Sequence, residues 1–519
     1  MYGKGGSFTL AGLKPRKNRQ EREPVNQSTL GQEFRQEMEE LIGQLQESLA
    51  TAILETDDRI ALPPGSAAAL ADFYEPLPET GSGAAQTIDR LLELNAAAGG
   101  NTPGPRCFHF VIGGSTPAAL AADLLATAYE QVTYTWLLSP VGVQMEVQAL
   151  NWLKEMLGLP KSWPGVMVTG ATMANFVCLA AARQWWGEQL GIDVSETGLA
   201  GMPQMPVLTT GFVHASTLKV LATQGIGRGN VQEFSRDDFG RADLDAMQQA
   251  LIALDGKPAV VIVNAGEVNA GEFDPVKEMI DLARQHNCWV HVDGAFGLFA
   301  RLSPRTAHFV EGVEKADSAT VDGHKWLNVP YDSGYAFVRD YGLMARAFRY
   351  SADYLPEEDD IRPTFGAIGP ESSRRARSFA VWATIKAYGR EGHRRIVEHC
   401  LDIAQHFAKQ VALKTQLELM NDVQLNIVAF RYNPGGMSDE ELDALNERLG
   451  EAVLADGRFL VGTSKIGPRT VFRPAFSNWR TRPEDVEAFA NVVVEVAASL
   501  ALPIAAGESN GSSTERISK

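Results

Sequence analysis

Ser318-Ala-Thr-Val-Asp-Gly-His-Lys-Trp326 and, upstream, Cys288-Trp-Val-His-Val-Asp-Gly-Ala295 are the stretches whose reading decides the fold. Each is a short apolar, β-branched run that ends in a polar cluster. Such runs read as buried parallel strands that deliver side chains at their C-terminal ends. In open α/β sheets, ligands bind at those strand ends. One strand therefore presents a carboxylate, Asp293, and another an amine, Lys325, 32 residues further along.

From residue 107 to about 338, helical patterns alternate with short strands at 166–169, 259–263, 289–292 and 319–321. That alternation predicts an α/β domain with a mostly parallel sheet covered by helices. Apolar residues at helical spacing (Phe34, Met38, Leu41, Ile42, Leu45, Leu49) predict a helix over 30–54. Residues 61–71 read as loop then helix, and the Gly/Pro-rich stretch 95–105 as a boundary. The charged, Pro-rich stretch 339–370 reads as a mobile loop, followed by a helix over 374–389. Strands near 423–432 and 470–474, with helices between and after, predict a small α+β domain. The expected organisation is a mobile tail (1–30), a helical segment (31–104), a large domain (105–385), a small C-terminal domain (386–503) and a disordered tail (504–519).

Composition narrows the function. The chain has 519 residues, 45% of them hydrophobic, enough for a large core. A net charge of −17 without a broad basic patch argues against nucleic acid. The four cysteines (Cys107, Cys178, Cys288, Cys400) stand far apart without zinc spacing and read as reduced core residues; no metal site is expected. The sequence carries no apolar run of membrane-spanning length and no signal-like apolar core near residue 1. A cytoplasmic location is the expectation.

A carboxylate at one strand end and a lysine at another suit pyridoxal phosphate. The lysine forms the Schiff base and the acid pairs with the ring nitrogen. Val166-Met-Val-Thr-Gly-Ala-Thr-Met-Ala-Asn175 reads as strand, tight turn and helix start. Gly170, Ala171 and Thr172 would then meet a phosphate at a helix N-terminus, although a simple Thr cap has the same pattern.

His324-Lys325-Trp326 and His291-Val-Asp293-Gly-Ala295, in this order, resemble the group II pyridoxal-phosphate-dependent amino-acid decarboxylases, over residues 105–473. The resemblance implies the aspartate-aminotransferase-like fold (type I) and a homodimer whose active site lies at the subunit interface. It implies that His214, in Phe212-Val-His-Ala-Ser216, stacks on the ring, that Ala295 covers the other face, and that Ser216 assists the phosphate. His324 is expected at the phosphate. Relatives often carry Asn where Asp322 stands, and a carboxylate there must turn away from the anion. Asn269 matches a position near the ring's 3-oxygen or the substrate carboxylate, and Arg473 one near the substrate carboxylate. Asn269 equally suits a turn and Arg473 a structural role. Tyr354 matches the tyrosine that returns a proton to Cα. Phe110, with Val132 and Tyr134 of the partner subunit, is expected to line the substrate pocket; Gly113-Gly114 either widens that pocket or turns the chain.

The implied reaction is α-decarboxylation of an aromatic or acidic L-amino acid to an amine. The alternatives are an aminotransferase or an aldehyde-forming oxidative decarboxylase on the same fold, and a non-catalytic scaffold. Retention of Lys325, Asp293 and His214 speaks against the scaffold, and Tyr354 against the other two.

Overall fold

A computed structural model describes residues 29–71, 73–349 and 362–501. The expected tails, and Tyr354 in particular, lie outside the described residues. The chain forms two compact units, one of residues up to 55 with 72–96 and a larger one of 56–71 with 97 onward.

In the smaller unit the expected first helix spans Thr29–Leu54, and a second spans Ala84–Ala98. Residues 56–71, expected with this helical segment, belong instead to the larger unit. The reason is local. Asn101 donates to the Thr56 and Arg59 carbonyls, Leu62 N–H donates to Gly457 O, and Asp57 pairs with Arg480 and Arg482.

The larger unit is built on two sheets. The first contains β1 (Gly165–Val168), β2 (Val207–Thr209), β3 (Val231–Glu233), β4 (Ala259–Asn264), β5 (Cys288–Asp293), β6 (Ser318–Asp322) and β7 (Gly334–Val338), in the order β1-β7-β6-β5-β4-β2-β3. Only β7 runs antiparallel to its neighbours. A parallel partner needs a crossover of a dozen or more residues. The link from β6 to β7 is residues 323–333, too short for one, so the chain turns straight back. Strands β4 to β7 are buried along their whole length, as a sheet covered on both faces must be. The helix Ala171–Gln189 packs across β5, β6 and β7 through a face that includes Val177, Cys178 and Ala181.

The second sheet, ordered β10-β11-β9-β8, holds β8 (Leu417–Leu419), β9 (Phe430–Tyr432), β10 (Thr463–Ile466) and β11 (Arg469–Phe472). It has its own apolar core, in which the Phe430 ring meets those of Phe407, Phe472 and Phe489. Only the end of the expected 423–432 strand pairs regularly. Before it, the Asn421 side chain accepts from Ala429 N–H and donates to Ile427 O, which bends the chain out of a ladder. The 339–370 stretch contains a helix, Tyr341–Phe348, that the loop reading missed; Asp340 caps it by accepting from Leu343 N–H. The helix expected over 374–389 belongs to a run over Ser378–Ala412 that breaks at Gly389, whose φ of 60° is non-helical.

One buried ion pair anchors β1. Glu146 and Arg374 are both buried, with Arg374 Nη2 2.8 Å from Glu146 Oε2. Arg374 also donates to Met167 O and Thr133 O, while Met167 N–H donates to Glu146. Burial raises the Glu146 pKa, against the pull of Arg374. Replacing Arg374 by Met strands that carboxylate, at an expected cost of about 3–5 kcal/mol. Replacing Glu146 by Met as well should recover part of the loss, read as a double-mutant cycle from urea midpoints.

Candidate active site

Strands β4, β5 and β6 run parallel side by side in the middle of the sheet, with β2 beyond β4, and β1 runs the same way beyond the antiparallel β7. Chain segments leaving β1, β2, β4, β5 and β6 converge there on a cavity of about 370 Å³. Thr169 to Met173, Phe212, His214, Ser216, Gly266 to Val268, Asp293, Ala295, Asp322, His324 and Lys325 line it. Its size falls within the range of small-molecule sites, roughly 300–1,000 Å³.

Close backbone approach brings these segments together. Gly113 N–H donates to His324 O at 2.9 Å, and a Cβ on Gly113 would lie 1.6 Å from Lys325 O. Gly113 therefore serves close packing on the lysine segment, which is neither of the two roles expected for the Gly113-Gly114 pair. Likewise, a Cβ on Gly334 would lie 2.4 Å from the Gly170 backbone, so β7 passes directly beneath the turn that follows β1.

Asp293 ends β5 and is nearly buried. Its Oδ2 accepts from Asn175 Nδ2 at 2.9 Å and from Thr217 Oγ1 at 3.2 Å, and its Oδ1 from Ala295 N–H at 3.3 Å. Burial pushes this carboxyl upward, but His214, His291, the Asn175 amide and Lys325 outweigh it and hold it below the usual carboxylate range. Lys325 follows β6, its Nζ 5.5 Å from the centre of the Phe296 ring. His214 caps the helix Ala215–Thr223. Its Nδ1 accepts from Ser216 N–H at 3.2 Å and lies 2.6 Å from Ser216 Oγ, so the neutral ring carries its proton on Nε2. The ring is open towards the cavity yet enclosed elsewhere, and desolvation lowers its pKa against the opposing pull of Asp293.

At the other end, the helix Ala171–Gln189 points its N-terminus into the cavity with Thr172 in its first turn. Asp322 is engaged within the protein. Its Oδ2 accepts from Ala171 N–H at 3.0 Å, so that N–H, expected to face a phosphate, is already occupied. Its Oδ1 lies 2.9 Å from His324 Nδ1 but off the hydrogen-bonding direction, leaving both atoms without a hydrogen-bond partner. Tyr331 stacks on His324 at 3.9 Å.

Two residues named from the sequence, Asn269 and Arg473, do not line this cavity, whereas Phe110 does; Val132 and Tyr134 were expected from the partner subunit. Asn269 Oδ1 accepts from Ser464 Oγ on β10. Arg473 is buried and donates to Phe110 O at 3.0 Å; burial lowers its pKa to about 10, against the attraction of Glu267. Val132 bridges to Arg375, and Tyr134 packs on Gly366.

Glu267, Asn175 and Thr217 escaped the sequence reading as site residues, although Asn175 ends the Val166–Asn175 motif quoted above. Glu267 is buried and lines the cavity. It accepts from the N–H groups of Asn269, Ala270 and Gly271. Its pKa nevertheless rises to about 7, because burial outweighs those bonds.

The donor set can be tested against a phosphorylated pyridine aldehyde. The cavity offers a helix N-terminus with a hydroxyl and an imidazole for the anion, an amine for the aldehyde, and an ionised carboxylate for a basic ring nitrogen. All three requirements are met inside one enclosure of suitable size, and the residues fit the group.

Known proteins give the same picture. The model of the pyridoxal-dependent decarboxylase conserved domain matches residues 78–433. The chain is 29% identical over 419 residues to an aromatic-L-amino-acid decarboxylase of Bacillus atrophaeus, covering 79% of this chain and 85% of that one. It is 30% identical over 443 residues to an L-2,4-diaminobutyrate decarboxylase of Rhizobium meliloti, covering 83% and 86%. The crystal structure of Oryza sativa TDC with PLP and tryptamine superposes with a TM-score of 0.81 at 23% identity, over 92% of this chain and all of that one.

Because its folded-state pKa is raised from 4.5 to about 7, Glu267 binds its proton more tightly in the folded chain. Its contribution to stability is full below pH 4.5 and is lost as pH rises to about 7. At about 1.4 kcal/mol per pKa unit, the parent should lose roughly 2–3 kcal/mol more than Glu267→Gln over that window. Urea midpoints at several pH values measure the difference; parallel curves would mean that Glu267 is ionised throughout.

Proposed function

The chain belongs to the pyridoxal-dependent decarboxylase family, and from that premise we propose that its cavity removes the α-carboxyl group of an L-amino acid with an apolar, aromatic side chain. It is a pyridoxal-phosphate-dependent carboxy-lyase acting on amino acids. The observation that carries the assignment of its site is the meeting of Lys325 and an ionised Asp293 in one cavity, with a helix N-terminus at its far end.

When bound, the cofactor accepts the electron pair released as the bond between Cα and the carboxylate breaks. Lys325 would supply the amine that holds the cofactor's aldehyde. Asp293 keeps the ring nitrogen protonated, which strengthens that electron acceptance. His214 and Ala295 confine the ring, and Thr172, Gly170, Ser216 and His324 hold its phosphate. Tyr354 is assigned from sequence alone the return of a proton to Cα once CO₂ has left.

The preference for an aromatic side chain rests on the lining. Phe110, Val111, Met173, Phe212, Phe296 and Tyr331 give the cavity an apolar, aromatic wall. An acidic substrate is the second reading, carried by the buried cation Arg473 behind Phe110.

A homodimer is proposed as the working assembly. The helix Thr29–Leu54 carries an exposed apolar stripe that includes Phe34 at 61% and Ile42 at 57% exposure. Leu137, Leu138 and Val141 are likewise exposed, close in sequence to Val132 and Tyr134. Among the described residues no helix is long and apolar enough to cross a membrane, and no group of His, Cys, Asp and Glu could hold a metal ion.

A panel of aromatic, acidic, basic and aliphatic L-amino acids, with CO₂, amine, aldehyde and keto acid all quantified, tests the reaction. CO₂ with stoichiometric amine from aromatic substrates is expected. Turnover should fall by at least about 10⁴-fold in Lys325→Ala, which loses the covalent attachment. In Tyr354→Phe it should fall by about 10²–10⁴-fold, the usual worth of a general acid. Release of keto acid without CO₂ would overturn the reading. In the Phe34→Glu/Ile42→Glu variant, light scattering should show the mass fall from two chains to one.

A further inference from the structure

A chain of fully buried polar groups runs behind the sheet face of Asp293. Trp289 Nε1 lies 3.0 Å from Ser318 Oγ, which lies 2.9 Å from His291 Nδ1. His291 Nε2 lies 2.9 Å from Asn175 Oδ1, and Asn175 Nδ2 lies 2.9 Å from Asp293 Oδ2. Trp289, Ser318, His291 and Asn175 have no exposed surface, and neither does Thr217, which bonds both Asn175 and Asp293.

The two ends fix the direction of every bond. An indole N–H only donates, and an ionised carboxylate only accepts. Trp289 therefore donates to Ser318 Oγ, whose own proton must go to His291 Nδ1. At the other end the amide nitrogen of Asn175 must face Asp293, so its oxygen faces His291 and accepts from Nε2–H. His291 is thereby held as its Nε2-protonated tautomer. Thr217 accepts from Asn175 and donates to Asp293 in the same sense. Four donor steps point one way, toward Oδ2. No group in the chain can reverse without stranding a buried donor or acceptor, a loss of about 1–3 kcal/mol for each group.

We infer that His291 and Asn175 are positioning residues for the decarboxylation. Through this one-way chain they lock the Asp293 carboxylate in its ionised form, with Oδ2 saturated and Oδ1 free to serve the ring nitrogen of the cofactor. The inference rests on the reading of Asp293 as the partner of that nitrogen. Oδ1 accepts only a long bond from Ala295 N–H, and Asp293 lines the cavity. The network thus supplies order on one side of the carboxylate and leaves capacity on the other. The titratable groups facing Asp293 are His291 on its own strand, His214 at the start of the next helix, Lys325 after β6 and Cys178 on the helix Ala171–Gln189. Burial lowers the His291 pKa to about 4, against the pull of Asp293, so the ring stays neutral where the enzyme works.

The first test needs no variant. Histidine labelled with ¹⁵N in the holoenzyme should show His291 as the neutral Nε2–H tautomer at every pH from about 5 to 8. An Nδ1–H tautomer, or titration within that range, would overturn the inference. The second test follows the visible absorption of the bound cofactor against pH, and its rate of loss on dialysis, in His291→Phe, His291→Gln, Ser318→Ala and Asp293→Asn. His291→Phe should shift the pH midpoint of the band, speed cofactor loss about tenfold and lower kcat about tenfold with KM little changed, the scale on which supporting-shell losses act. Ser318→Ala should shift in the same direction by less and keeps the test readable if His291→Phe does not fold. His291→Gln, which can still accept on one side and donate on the other, should restore the parent spectrum. If Asp293→Asn changes the band and neither His291→Phe nor Ser318→Ala does, the chain is merely structural. If Asp293→Asn itself changes nothing, the underlying reading of Asp293 fails.

Discussion

The cost of burying the Asp293 carboxylate is the constraint on which the rest of this structure depends. An unpaired charge at that depth would be expelled or neutralised. Here it ends a wholly buried strand and remains below the usual carboxylate range. Two side-chain donors meet it, one from the helix Ala171–Gln189 and one from the helix Ala215–Thr223. Because those donors ride on different elements, satisfying one carboxylate also fixes where both helices start. Their N-termini in turn bring Thr172, His214 and Ser216 to the same cavity.

A second constraint is steric. The lysine segment is covered by a strip of chain that could not lie there with any side chain at Gly113, and the turn after β1 rests on Gly334. These contacts transmit order from the sheet to the groups around Lys325 without any side chain of their own. Further out, the buried Glu146–Arg374 pair ties the start of the Ser378–Ala412 region to β1, so the same strand is held from both sides. Asn269 and Ser464 link the loop after β4 to the second sheet, which gives that loop a fixed place although it is not itself regular.

Much of this was legible in the sequence because burial on both faces leaves a plain signature. Strands β1, β4, β5 and β6 stand out as short β-branched runs, and the polar residues that end them are the ones the cavity collects. The helix Thr29–Leu54 was legible from its spacing. Less was legible where a residue's task depends on a distant partner. Glu267 reads as a solvated acid in a Gly-rich turn until the fold buries it; Asn175 reads as one more polar residue near a helix start. Asn269 directly follows Val268 of the cavity wall yet serves the second sheet. The Ala171 N–H was expected at an anion and is taken by Asp322, a pairing across 151 residues that spacing does not reveal. Residues 56–71 were misassigned for the same reason, since their partners lie some forty to four hundred residues downstream.

By itself, the sequence determined the class of fold, because strands buried on both faces leave a plain apolar signature, and the order of its short motifs over residues 105–473 carried the resemblance that implied the cofactor. Only the tertiary structure decided which atoms of the site's groups are free. Directional hydrogen bonds close over long separations in the chain, and it is their closure that saturates one oxygen of Asp293, turns Asp322 inward and leaves the rest of the cavity open to a ligand.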